Sequence, residues 1–176
     1  YQYVHLVSSS NSTLPTDIWV PSSKWVEPQR GLQYSLGYFR NFKDNSYEFS
    51  AEFYYKDLKN QIEFSEDFIQ ELGQEVEMGY VFGDGWSYGM ELFAKKSKGK
   101  FNGWLGYTLS YTWRRFDDLN SGNKFPARYD RRHDISLNLV YEINDKLSLG
   151  GTWVYATGNA FTLPIEKYII NFVPIT

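Results

Sequence analysis

The strongest constraint on this chain is an alternation of period two that runs from residue 33 onward. Five segments carry it best: Tyr47–Asp57, Trp86–Lys96, Phe101–Arg114, Asp134–Ile143 and Leu147–Thr157, with a shorter sixth at Gln33–Asn41. Tyr1–Ser8 and Lys167–Val173 read as two more, each incomplete. Successive side chains of a strand point to opposite faces, so each segment sorts into two sets. One set reads Tyr47, Phe49, Ala51, Phe53 and Tyr55, then Trp86, Tyr88, Met90, Leu92 and Ala94. It continues through Phe101, Gly103, Leu105, Tyr107, Leu109, Tyr111 and Trp113 to Ile135, Leu137, Leu139, Tyr141 and Ile143, and ends at Leu147, Leu149, Gly151, Trp153 and Tyr155. None of these positions is charged, in a chain that is 22% charged. The opposite set is wet and carries both signs: Glu48, Glu52, Lys56, Glu91, Lys95, Arg114, Asp134 and Glu142. Helical periodicity is confined to Glu66–Leu72, a stretch too short to be stable alone.

Composition removes several classes. Aromatic residues make up 19% of the 176, against the aromatic-poor composition of disordered segments. A formal net charge of -3 argues against a nucleic-acid partner. The absence of cysteine removes disulfides, thiolate metal sites and cysteine nucleophiles together. With a mean hydropathy of -0.50 and no run of about 18 apolar residues, no transmembrane helix is expected. A transmembrane barrel is unaffected by that test, because its strands alternate.

A soluble β-sandwich and a membrane barrel both bury one sheet face and wet the other. Three features favour the barrel. The segments run about 10 to 14 residues, near the 9–11 needed to cross a bilayer and well above the usual 5–6 of globular strands. The connections alternate between tight turns (Asn41–Ser46, Ser97–Lys100, Asn144–Lys146) and long ones (Leu58–Gly85, Arg115–His133, Gly158–Lys167), so an up-and-down sheet gathers all short turns at one end. Tyr and Trp sit near strand ends on the apolar face, where a ring with a polar tip suits the membrane interface. A Lys or Arg at mid-bilayer costs roughly 2–4 kcal/mol, which accounts for a charge-free face. The expected fold is all-β: an antiparallel up-and-down transmembrane β-barrel. The stretch Ser9–Gln29 reads as irregular, and both termini break inside or beside strands, so a section of a larger barrel fits better than a small closed one.

Several segments, taken in order, resemble the barrel of a TonB-dependent outer-membrane receptor of the Bacteroidetes type. The first is Leu14-Pro15-Thr16-Asp17-Ile18-Trp19-Val20-Pro21-Ser22, followed by Glu27-Pro28 and Tyr34-Ser35-Leu36-Gly37-Tyr38. The second runs from Tyr47 to Ile62, and the third is Tyr88-Gly89-Met90-Glu91-Leu92 with Gly99-Lys100-Phe101-Asn102-Gly103-Trp104. The fourth is Phe125-Pro126-Ala127-Arg128-Tyr129-Asp130-Arg131-Arg132-His133-Asp134, and the fifth is Ala156-Thr157-Gly158-Asn159 with Leu163-Pro164. The likeness covers about Tyr1 to Pro164. It implies a bacterial outer-membrane location and a parent barrel of about 22 strands. It implies as partners the lipid bilayer, an N-terminal plug domain of the same parent protein, the TonB complex through that parent and, on the surface, a possible lipoprotein. Residues 1–176 would be part of one barrel domain, with the plug and the TonB-contacting segment outside the chain.

The candidate site is the fourth segment with the end of the preceding strand: Arg114, Arg128, Asp130, Arg131, Arg132 and His133. One reading places them at the outer mouth, meeting an anionic ligand or the plug through charge-assisted hydrogen bonds. The other is a self-neutralising cluster that orders a loop and a strand start. Asp117–Asn123 faintly resembles a calcium loop but lacks the ligand spacing and the closing Glu, and His5 and His133 show no metal spacing, so no metal and no cofactor are expected. Phe82-Gly83-Asp84-Gly85 reads as a turn before a strand. No Ser-His-Asp order or isolated carboxylate pair stands out, so no enzyme is expected. Trp19, Trp25, Tyr80 and Phe82 fall in outside loops and receive no role. The resulting expectation is a barrel segment for active import of a scarce solute, whether metal chelate, glycan or peptide. A passive porin-like barrel and a soluble carbohydrate-binding β-sandwich are the alternatives.

Overall fold

A computed structural model describes residues 1–8, 17–65 and 76–159. In chain order the strands are β1 (Val4–Ser8), β2 (Asp17–Pro21), β3 (Arg30–Phe42), β4 (Tyr47–Phe64), β5 (Tyr80–Lys96), β6 (Phe101–Phe116), β7 (Phe125–Pro126), β8 (His133–Asn144) and β9 (Leu147–Ala156). The candidate helix Glu66–Leu72, the strand expected at Lys167–Val173, Leu163-Pro164 and most of the last long connection lie outside the described residues.

The main sheet is an antiparallel meander in the order β3-β4-β5-β6-β8-β9, with β7 paired to β6. Its register places the charge-free set on one face. Tyr55 lies opposite Tyr88 and Tyr88 opposite Tyr111; Phe53, Met90 and Leu109 form the next row, and Ala51, Leu92, Tyr107 and Ile135 the one after. Among the described residues no second sheet covers the charge-free rows from Tyr47 to Tyr55, where a sandwich would need one. Large apolar side chains stay exposed along it, with Leu36 at 74% and Leu149 at 67%. The edge strands β3 and β9 each have one side without a neighbouring strand among the described residues.

From Tyr47 to Tyr55 is eight strand steps, and from Trp86 to Lys96 ten. At about 3.4 Å per step and a tilt of about 40°, these rise roughly 21–26 Å, the height of an outer-membrane apolar band. Rings close the band at the end away from the short turns: Tyr88 stacks on Tyr111 at 5.4 Å, and Trp86 lies opposite Trp113. Phe42, Tyr47, Phe101 and Tyr141 close it at the short-turn end, beside Lys43–Ser46, Ser97–Lys100 and Asp145–Lys146. Lys43, Asp44 and Asn45 all take positive φ, which lets a four-residue link reverse the chain. Beside them, the Ser97 amide donates to the Ser46 carbonyl at 2.9 Å and joins two turns.

β4 and β5 run well past the band, so much of the long connection expected at Leu58–Gly85 is strand, and Phe82–Gly85 lies within β5 rather than in a turn before it. The pairing of the two strands carries a bulge between Leu58 and Gln61, with Asn60 at φ 56. The one extra residue, Lys59 and Asn60 standing against Asp84 alone, reverses the phase of β4. Odd residues face lipid up to Asp57; beyond the bulge the even residues Ile62 and Phe64 take that side, opposite Phe82 and Tyr80.

Against Ile62 and Tyr80 packs a separate two-stranded ribbon: Asp17–Pro21, within the stretch expected to be irregular, is a strand, and it pairs with β1, which was expected as an incomplete barrel strand. Val7, Val20, Val26, Ile62 and Tyr80 are buried together, and Phe64 lies beside Tyr80 at 5.1 Å. Trp19 therefore sits on β2, and Tyr80 and Phe82 sit on β5 rather than in loops. His5 is fully buried in the ribbon, with Nε2 2.9 Å from the Ser22 hydroxyl and Nδ1 without a hydrogen-bond partner among the described residues.

Two outcomes follow from this architecture. In the intact receptor refolded into vesicles, Leu92→Arg lowers unfolding free energy by about 2–4 kcal/mol, whereas Ser136→Arg on the wet face changes it by about 0.5 kcal/mol or less. Chemical denaturation in lipid separates the two. For His5, burial lowers the pKa below its ordinary 6.5, so the docked ring is neutral. Above about pH 6.5 the ring is neutral whether the ribbon is docked or released, and docking is fully stable. As pH falls below that value, the released chain binds the proton that the docked one resists, and docking weakens. Amide exchange at Val7 and Val20, corrected for intrinsic rate, speeds up on acidification, and His5→Phe removes the effect.

Candidate functional site

The six residues singled out in the sequence gather at the long-loop end but do not form one cluster. The ladder between β6 and β8 stops at Leu109 and His133. Beyond it, the segment from Phe125 to Arg132 runs along β6. β7 places Pro126 opposite Trp113 and Phe125 opposite Arg114, and the Ala127 amide donates to the Thr112 carbonyl at 2.9 Å. Phe125 stacks on Phe116 at 5.9 Å, and Phe116, Leu119 and Ala127 are buried. Gly83 makes room for this packing, because a Cβ there would lie 2.6 Å from the Phe116 ring.

Asp130 repairs the ladder where it opens. Its Oδ1 accepts the Thr112 backbone N–H at 2.7 Å, its Oδ2 accepts Arg132 Nε at 3.2 Å, and only 4% of the residue is exposed. A carboxylate thus takes the place of a missing strand carbonyl.

Arg132 and His133 turn toward the lipid side. The Arg132 guanidinium lies 4.6 Å from the Tyr111 ring centre and 5.5 Å from that of Trp113. His133 stacks on Tyr107, whose hydroxyl is 3.0 Å from Nδ1. Cations and a polar ring over Tyr and Trp suit the interfacial belt, not the lumen. Arg131 is half exposed and 3.9 Å from Asp134, a contact of little energetic consequence.

Arg114 faces the lumen, and its partner was not visible in the sequence. Nη1 donates to Glu63 Oε2 at 2.8 Å, with both side chains about one-quarter exposed. Glu63 stands beyond the bulge, outside the apolar band. Burial raises its carboxyl above the usual carboxylate range, while Arg114 and then Arg128 pull it back down. The lumen end therefore carries the Arg114–Glu63 ion pair, with the Arg128 charge acting on the same carboxylate, beyond Ser87 and Thr112, whose hydroxyls are 3.0 Å apart. The phase reversal at Asn60 brings Glu63 to this side, and no local motif signals it.

Asp117–Asn123 forms a turn and a short 3-10 segment, Asn120–Gly122. Among the described residues no group of His, Asp and Glu has the arrangement of a metal site. Trp19 and Trp25 are 65% and 61% exposed on the outer side, and Lys24 Nζ lies 4.7 Å from the Trp25 ring centre.

Comparison with known proteins decides the family: the TonB dependent receptor-like beta-barrel family matches residues 9–169. This chain belongs to it. No curated protein and no solved structure matches the chain. The protein is thus a section of a receptor barrel in the bacterial outer membrane, where it serves receptor-type transport. The family implies a plug domain and a TonB interaction in the parent protein. The ring-rich face of the receptor wall meets lipid and the wet face meets the lumen.

The Asp130 geometry yields a direct expectation. Asp130→Ala leaves the half-buried Thr112 amide unpaired and lowers stability by about 1–3 kcal/mol. Its amide exchanges faster in the variant while amides deeper in β6, such as Leu105, keep their protection. Uniform loss of protection along β6 would contradict the local role.

Proposed function

We propose that residues 1–176 form part of one barrel domain that imports a scarce solute by TonB-driven, plug-gated transport, and that the solute carries an anionic group. The observation that supports this reading is the lumen-facing Arg114–Glu63 ion pair at the long-loop end, where Arg128 also lowers the Glu63 carboxyl. A carboxylate- or phosphate-bearing solute would compete with Glu63 for these guanidinium groups through charge-assisted hydrogen bonds. Metal chelates, acidic glycans and peptides all supply such a group. Asp130, Arg132 and His133 order the loop and the interface around these two arginines, and Arg131 stays outside the ligand path. A surface lipoprotein would meet the outer side, where Trp19 and Trp25 are exposed.

Uptake by the intact receptor in cells tests the reading, with a labelled ferric citrate-type chelate, an acidic oligosaccharide and a peptide as probes. At least one probe is expected to accumulate, and to stop accumulating when the proton-motive force is collapsed. Uptake that survives uncoupling would replace the reading with a passive porin. Arg114→Gln is expected to lower uptake of the accepted probe at least tenfold, and Arg131→Gln less than twofold. Equal effects of the two variants would remove Arg114 from the ligand path.

A further inference from the structure

The lipid-facing wall carries a recess near the short turns. A groove of about 680 Å³ opens there across β4, β5, β6 and β8, with Phe42 of the edge strand β3 at one side. This is within the range of ligand pockets, about 300–1,000 Å³. Its floor is made of residues with almost no side chain. Ala94 lies opposite Phe49 on one side and Leu105 on the other; Gly103 lies opposite Lys96 and Leu139. Gly103 has φ 151, and a Cβ there would lie 2.2 Å from the Asn138 carbonyl oxygen, so this part of the floor stays bare. Phe49, Leu105 and Leu137 form apolar walls.

The end of the groove is charged. Lys43 and Lys96 line it beside the turns. The Lys96 ammonium donates to the carbonyls of Lys98, at 2.8 Å, and Phe101, which fixes the cation at the rim. An ammonium has three donors, so this anchoring leaves capacity for an anionic oxygen. Lys98 donates to the Asp44 carbonyl at 2.8 Å and ties the neighbouring turn in place. Across the two turns Lys43, Lys96, Lys98 and Lys100 outnumber Asp44, and Glu48, which also lines the groove, lies 4.0 Å from Lys95. Tyr47 and Phe101 mark this level as the interface, on the periplasmic side if the short turns follow the usual outer-membrane orientation.

We propose that the groove is a binding site for one anionic glycerophospholipid of the periplasmic-side leaflet. An acyl chain lies on Ala94 and Gly103, and the phosphate meets Lys96 and Lys43. The bare floor and the cationic rim are adjacent, as the chain and headgroup of one lipid are. A peptide or a soluble anion would match only one of the two parts. The proposal is independent of the solute that the receptor imports.

Native mass spectrometry of the intact receptor, delipidated in mild detergent and titrated with chain-matched phosphatidylglycerol or phosphatidylcholine, tests it. One phosphatidylglycerol is expected to remain bound, at least fivefold in preference to phosphatidylcholine and undisplaced by millimolar inorganic phosphate. Ala94→Trp fills the groove without changing charge and is expected to abolish retention of both lipids. The double variant Lys43→Glu, Lys100→Glu keeps the groove and is expected to lose the preference for the anionic lipid. Ala94→Leu serves in place of Ala94→Trp if the larger ring blocks assembly, judged by heat-modified gel mobility. Equal retention of the two lipids by the unaltered receptor, displacement by inorganic phosphate alone, or unchanged retention in folded groove and charge variants would each overturn the site.

Discussion

Inside the hydrocarbon layer a backbone N–H or C=O has no water to bond, so each must find a partner on a neighbouring strand. That requirement governs the rest of this chain. It makes the strands long, keeps their ladders continuous through the band from Tyr47 to Tyr55, and leaves side-chain parity as the main freedom of the sequence. One parity then has to be apolar because lipid solvates it. Irregular backbone is confined to the two ends, where water or protein replaces lipid. The ladder breaks between β6 and β8 only beyond Leu109, and there the Asp130 carboxylate satisfies the Thr112 amide.

The band was legible in the sequence because its physics is local. A side chain faces lipid or lumen according to whether its number is odd or even within one strand, and charge is excluded residue by residue. The sorting of turns by length was legible for the same reason: Lys43–Ser46 and Asp145–Lys146 announce themselves by composition. The region beyond the band was not legible. At Asn60 a single residue of positive φ reverses the phase, and alternation counted from Tyr47 gives the wrong side for Ile62, Glu63 and Phe64. The strand therefore looked finished at Asp57 when it continues to Phe64.

The candidate site shows the same division. The charged segment from Arg128 to Asp134 stood out by composition, but its members serve three environments: a buried backbone repair, an aromatic belt and the lumen. Which residue goes where depends on pairing with β6, across more than a dozen positions of sequence. Glu63 was missed altogether, since its partner Arg114 lies 51 positions away and is reached only through the bulge. The arrangement at the mouth is thus a tertiary product of the extended β4 and β5, built above a wall whose design is secondary.

The bulge has a further consequence for how such receptors can diversify. It is a joint at which the numbering of the wall and the numbering of the outer portion become independent. The outer end of β4 beyond Asn60, the ribbon contact at Ile62 and the ion pair at Glu63 included, keeps its own phase, apart from that of the β4 residues that touch lipid. One embedded frame can then accept many mouths, and recombination at this joint would alter what is captured while leaving insertion into the bilayer unchanged.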